Sequence, residues 1–127
     1  MNRMPGHRRI QPRRNPMLHV RFAHLLPGKE ARLREWLSEL GRRRDEVVET
    51  LVQEGARHEQ AFIIDGREGP LLVYAMESAD PVAASQAYRA STLKIDQEHR
   101  AVLLECLGER LQAAPLFDCS VPPSRPA

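Results

Sequence analysis

Residues 57–77, RHEQAFIIDGREGPLLVYAME, decide the fold of this chain. From Arg57 to Asp65 the side chains divide by alternation into His58, Gln60, Phe62 and Ile64 on one side and Glu59, Ala61 and Ile63 on the other, the period-two pattern of a strand. Asp65-Gly66-Arg67-Glu68-Gly69-Pro70 carries turn chemistry, and Leu71 to Glu77 is a second strand rich in Leu, Val and Tyr. The two strands are expected to form a hairpin with large apolar groups on both faces. Phe62, Ile64, Leu72, Tyr74 and Met76 make one set, and Ile63, Leu71 and Val73 the other. One face can meet helices; the second then needs water, a ligand or another sheet.

Outward from the hairpin, the same periodicities order the rest. Leu18 to Ala23 alternates as a strand and stops at Pro27-Gly28. Leu33, Trp36, Leu37 and Leu40 fall at i, i+3, i+4 and i+7, one apolar stripe of a helix. Gly41 and Arg42-Arg43-Arg44 mark a break, after which Val47, Val48, Leu51 and Val52 continue to a C-cap at Gly55. Beyond the hairpin, Asp80-Pro81 is an N-cap followed by a first-turn proline, opening a short helix through Ala83, Ala84, Ala87 and Tyr88. Asp96 is expected to cap a longer helix with apolar positions Val102, Leu103, Cys106, Leu107 and Leu111, and Ala114 to Val121 is expected to be the last strand. The order strand, split helix, strand, strand, split helix, strand predicts an α+β fold: a ferredoxin-like four-stranded antiparallel sheet with helices on one face. That domain spans 17–121, between a basic Arg/Pro-rich leader at 1–16, read as disordered, and a frayed Pro-rich tail at 122–127.

Composition narrows the partners. The chain has 127 residues, 42% hydrophobic and 28% charged, which is globular and too apolar for wholesale disorder. Its net charge of +2 is a property of the leader, which holds five arginines and no acid, so the remainder is net acidic. The leader has no aromatic side chain on which bases could stack, and no nucleic-acid partner is expected. No apolar run approaches the ~20 residues of a membrane span, so no membrane partner is expected and the location is read as cytoplasmic. Phosphate-loop, dinucleotide-turn and serine-elbow motifs are missing. Cys106 and Cys119 lack metal-type spacing and are read as packing residues, the first on the helix stripe and the second in the last strand. His19, His24 and His58 form no His-x-His or His-x-x-x-His pair, so no metal site is expected.

Chemistry is therefore sought in polar groups on apolar elements. Ile95, His99, Val102, Leu103 and Cys106 share one helix side, which points His99 inward, either as a satisfied core residue or as the wall of a pocket. Glu59 shares its strand face with Ala61 and Ile63, where a carboxylate is costly unless paired or hydrated. If that face meets the helices, Glu59 and His99 converge beside Tyr74 or Tyr88, and the carboxylate is expected to raise the imidazole pKa, as a general base requires.

The stretch Val20-Arg21-Phe22, Leu26-Pro27-Gly28-Lys29-Glu30 and Glu35-Trp36-Leu37 resembles the opening of an uncharacterised bacterial family, DUF6176. The similarity continues through Thr50-Leu51, Glu54, Glu59, Phe62, the Tyr74 strand and Ile95-Asp96-x-x-His99, covering 18–121. The resemblance implies a dimeric α/β-barrel variant of the ferredoxin-like fold. That wider superfamily contains cofactor-free monooxygenases, muconolactone-isomerase-like enzymes, haem-degrading enzymes and stress-response proteins, and the family itself brings no assigned reaction. Its recurring polar positions correspond here to Glu59, Asp96 and His99. The resulting expectation is a homodimer with a small-molecule cleft, His99 and Glu59 transferring protons in isomerase or cofactor-independent oxygenase-like chemistry and Tyr74, Tyr88 and Asp96 contacting the substrate. The alternative is a non-catalytic dimeric ligand-binding or protein-interaction module. Any cofactor is left open.

Overall fold

The computed structural model describes residues 17–122; the basic leader and the tail beyond 122 lie outside the described residues. The elements run β1 (Met17–Leu25), α1 (Glu30–Arg42), α2 (Arg44–Glu54), β2 (Ala56–Gly66), β3 (Gly69–Ser78), α3 (Pro81–Ala90), α4 (Lys94–Cys106) and β4 (Leu107–Gln112). The sheet order is β2-β3-β1-β4, and every neighbouring pair is antiparallel. This is the ferredoxin-like α+β arrangement expected from the element order.

Local chemistry explains the joints. The break between α1 and α2 falls at Arg43, whose φ of −106° and ψ of 42° leave the helical region. Its guanidinium bonds Glu46 at 2.7 and 3.0 Å and Glu98 on α4 at 2.5 Å, tying the kink to the neighbouring helix. Gly55 ends α2 at φ 73°, a left-handed conformation that a side chain would strain. Asp80 caps α3 by accepting from the Ala83 amide at 3.0 Å, with Pro81 in the first turn. At the other end of α3, Arg100 donates to the carbonyls of Tyr88 and Ser91 at 2.7 and 2.9 Å, satisfying groups that the helix leaves free.

The core lies between one sheet face and the helices. Leu25 and Leu72 from the sheet pack with Leu33, Trp36, Val102 and Cys106 from α1 and α4. The hairpin register differs from the expected grouping. Gly66 pairs with Gly69, which places Phe62 opposite Val73, Ile64 opposite Leu71, Ala61 opposite Tyr74 and Ile63 opposite Leu72. Directly opposed residues share a face. Glu59, Ala61 and Ile63 therefore join Leu72, Tyr74 and Met76 under the helices, while Phe62, Ile64, Leu71 and Val73 line the open face with Phe22, the partner of Val73 on β1.

The last strand also differs from expectation. Helix α4 stops at Cys106, and Leu107 and Leu111 belong to β4, where they pair with Leu25 and Phe22. Gly108 permits the close approach, since a Cβ there would lie 3.3 Å from the Leu26 side chain. Residues 114–121 form no strand, and Leu116, Phe117, Cys119 and Val121 are exposed. Cys106 is buried in the core, as its stripe position implied. Among the described residues no helix is long and apolar enough to cross a membrane.

Candidate functional site

A cavity of about 570 Å³ opens between the sheet and the helices. Its polar wall brings together Glu54 from α2, Glu59 from β2, Tyr74 from β3, Tyr88 from α3, and Asp96 and His99 from α4. All five residues expected at the site thus meet one hollow. Among the described residues no group of three or more His, Cys, Asp and Glu side chains is placed to hold a metal ion.

His99 is held at both ring nitrogens. Trp36 Nε1 donates to Nδ1 at 2.8 Å, and Nε2 lies 3.1 Å from the Tyr74 hydroxyl. An indole N–H can only donate, so Nδ1 is the bare nitrogen and Nε2 carries the proton. Nε2–H then donates to Tyr74 Oη, which leaves the Tyr74 proton free to turn toward Glu59, the carboxylate with which this hydroxyl interacts. The rings of Trp36, Tyr74 and Tyr88 surround the imidazole at centroid distances of 6.0, 5.9 and 5.8 Å.

This enclosure reverses the expected shift of His99. Burial, aided by the Arg100 charge, outweighs the attraction of Asp96 and lowers the pKa to about 4. Among the described residues His99 makes no hydrogen bond to Glu59: its ring bonds the Tyr74 phenol, the hydroxyl on which Glu59 also bears, so the expected direct carboxylate–imidazole pair does not form. Burial pushes the Glu59 carboxyl up, against the opposing effect of the Tyr74 hydroxyl, and pushes the Tyr74 phenol up well above its usual range. Glu54 is raised to about 7, first by burial and then by the charges of Glu59 and Asp96.

Asp96 is placed differently from a cap. It lies inside the first turn of α4, whose N-cap is Leu93, and its carboxylate accepts from Thr50 Oγ1 at 2.6 Å instead of binding the helix amides. Thr50 Oγ1 also contacts Glu54 Oε2 at 2.9 Å. Trp36, Thr50 and Glu54 carry no site role in the sequence reading. Two signals were available there: a tryptophan on an apolar stripe needs a partner for its N–H, and Val47, Thr50 and Glu54 continue one another at helical spacing.

The buried imidazole couples folding to pH. Unfolded, His99 takes up a proton near the ordinary 6.5, but folded only near about 4. The stability it contributes is present above 6.5 and is lost as pH falls toward 4, by about 3 kcal/mol in all. Glu54 works in the opposite sense, its contribution being present below 4.5 and lost as pH rises through about 7. Urea midpoints of the wild type and His99→Gln, compared between neutral pH and about pH 4, should converge toward acid. Parallel lines would show that the imidazole is not held neutral.

The fold is a ferredoxin-like α+β sheet with helices on one face, an arrangement also seen in solved candidate monooxygenases. A Fusobacterium nucleatum candidate monooxygenase is similar over 76% of this chain at 18% identity and a TM-score of 0.51. The aligned part makes up 40% of the Fusobacterium protein. A Bacteroides thetaiotaomicron candidate antibiotic biosynthesis monooxygenase is similar over 81% of this chain and 91% of its own, at 17% identity and a TM-score of 0.50. At these identities the likeness is one of fold. The chain itself belongs to the family of unknown function DUF6176, whose profile matches residues 18–121. No curated protein matches it.

Proposed function

We propose that this protein is a homodimer that binds a small, enolisable organic molecule in the cavity and moves protons on it, the chemistry of isomerisation or cofactor-independent oxygenation. The observation that carries the reading is the hydrogen-bonded line from Trp36 through His99 to Tyr74, which shares the hollow with the half-buried carboxylate of Glu59. In this scheme Glu59 is the base. Burial raises its proton affinity, and Tyr74 supports the carboxylate without neutralising it. His99 acts through Tyr74 as a positioning residue, its Nε2–H fixing the direction of the phenol proton. Neither ring nitrogen of His99 is free to take a proton from substrate.

Two further groups support a ligand site. Among the described residues Tyr88 Oη and His19 Nε2 are buried with no hydrogen-bond partner, and both residues line the cavity. Buried polar groups are normally satisfied, so these atoms are available to a bound molecule. Asp96, turned toward Thr50, contacts a ligand only through its remaining oxygen.

The dimer is proposed from the open sheet face. Phe22, Val73 and Phe62 form a cross-strand row, flanked by Leu71 and Ile64 and, on β4, by Leu111. A second copy laid on this row would cover it, giving the two-layer sandwich that such faces favour.

The test is native mass spectrometry of the freshly purified chain, combined with NMR of carbon-bound proton exchange in 2-tetralone, an uncharged enolisable ketone, in D2O. The reading expects a dimer mass, a retained small molecule, and exchange faster than in buffer. A folded dimer with neither bound molecule nor exchange would favour the non-catalytic module.

A further inference from the structure

The Thr50 hydroxyl poses a proton-counting problem. It has one hydrogen and contacts two carboxyl groups, Asp96 Oδ2 at 2.6 Å and Glu54 Oε2 at 2.9 Å. If both carboxyls were ionised, one of these oxygen–oxygen contacts would hold no hydrogen, and two like charges would face one atom in a largely buried place. Thr50 and Asp96 are 7% and 3% exposed. A single added proton resolves the conflict. The hydroxyl can donate to only one of the two carboxyls and must accept from the other. Thr50 then gives its hydrogen to one carboxyl and receives one from the other, and burial together with the neighbouring carboxylates, which push Glu54 up, favours Glu54 as the one that holds the added proton.

The surroundings favour that proton. Glu59 on β2 and Asp96 on α4 bear on Glu54, and Tyr74 on β3 and Tyr88 on α3 are the phenols that feel its charge. His99 on α4 is neutral. Arg21, Arg89 and Arg110 also line the cavity, yet none of the ion pairs among the described residues engages Glu54, Glu59 or Asp96. Three buried or half-buried carboxyls without a paired cation do not all ionise together.

We propose that Glu54 is the acid of the cavity, a carboxyl kept protonated by sharing Thr50 with Asp96, which protonates the carbonyl oxygen of the substrate while Glu59 takes the proton from the neighbouring carbon. The bonds balance. The C–H bond breaks and its proton passes to Glu59; its electron pair forms the C=C bond; the carbonyl π pair moves to oxygen and takes the Glu54 proton. Glu54 is left as a carboxylate and Glu59 as an acid, and exchange with solvent resets both. No oxidant or metal enters the step. The acid role rests on the proton-transfer reading above, whereas the protonation of Glu54 stands on the Thr50 geometry and the carboxyls around it, independently of that reading.

The experiment is carboxyl-carbon NMR of the full chain labelled at the glutamate carboxyl, followed from acid to alkaline pH, together with 2-tetralone exchange. The wild type is expected to show one glutamate titrating with a midpoint of about 7, absent in Glu54→Gln. In Asp96→Asn that midpoint should fall by about one unit or more, because the neighbouring charge is gone. Glu54→Gln should fold normally, since its amide can donate to Thr50 as the acid does, and should slow exchange by about 100-fold. If every glutamate ionises in the ordinary carboxylate range, or the neutral titration persists in Glu54→Gln, the protonation is wrong. Normal exchange in Glu54→Gln overturns the acid role even with the titration in place. Absence of exchange in the wild type sinks the proton-transfer reading and the acid role with it, while the titration still decides the state of Glu54.

Discussion

Glu59→Gln should slow carbon-bound proton exchange in 2-tetralone by a factor of about 10²–10⁴, the usual worth of a positioned base, without unfolding the protein. The substitution is close to isosteric, and the amide oxygen can still accept from the Tyr74 hydroxyl. What it loses is the ability to hold a proton. It also removes one of three neighbouring carboxyls, so stability should hold or rise, which separates the catalytic loss from a folding defect. Emission from the single tryptophan, Trp36, serves as the control for folding, since its indole bonds His99. Unchanged exchange in a folded Glu59→Gln variant would remove the base and, with it, the reason for the relay.

Val73→Glu should convert the dimer to monomers. Val73 lies between Phe22 and Phe62 on the open face, the middle of the apolar row. In a twofold assembly each copy contributes one such carboxylate, and neither meets a cation in that row. Burying an unpaired charge costs about 3 kcal/mol or more, which weakens association at least 100-fold. Multi-angle light scattering should report half the wild-type mass, with the far-ultraviolet circular dichroism unchanged because the site and core lie on the opposite face. A Val73→Glu protein of wild-type mass would place any dimer contact elsewhere.

The fold was largely legible because its helices and strands differ in period. The split of α1 from α2, the Gly55 cap and the Asp80-Pro81 start all lie where composition placed them. Two features were hidden. Leu103, Leu107 and Leu111 continue the helical spacing, so the turn from α4 into β4 shows only in Gly108 and in tertiary pairing with β1. The grouping of the hairpin faces depended on which residues of the six-residue turn pair, and a one-residue slip exchanges the faces of one strand relative to the other.

The site divides in the same way. Glu59 and His99 were visible as titratable groups on apolar faces. Their arrangement was not, because His99 bonds Tyr74, which the hairpin register sets opposite Ala61, and Trp36 reaches Nδ1 across 63 positions of sequence. The Glu54–Thr50–Asp96 bridge spans two helices whose relative height no spacing encodes. The expected rise in the His99 pKa failed because Glu59 does not bond the ring, and burial outweighs the attraction of Asp96.

The relay as a whole is tested most directly by nitrogen-15 NMR of the His99 imidazole in the full chain, assigned by comparison with His99→Gln. The prediction is a neutral ring with its proton on Nε2 and a bare Nδ1 through neutral pH, taking up a second proton only toward about pH 4. A proton found on Nδ1, or a charged imidazolium at neutral pH, would contradict the direction of the Trp36–His99–Tyr74–Glu59 line and the function built on it.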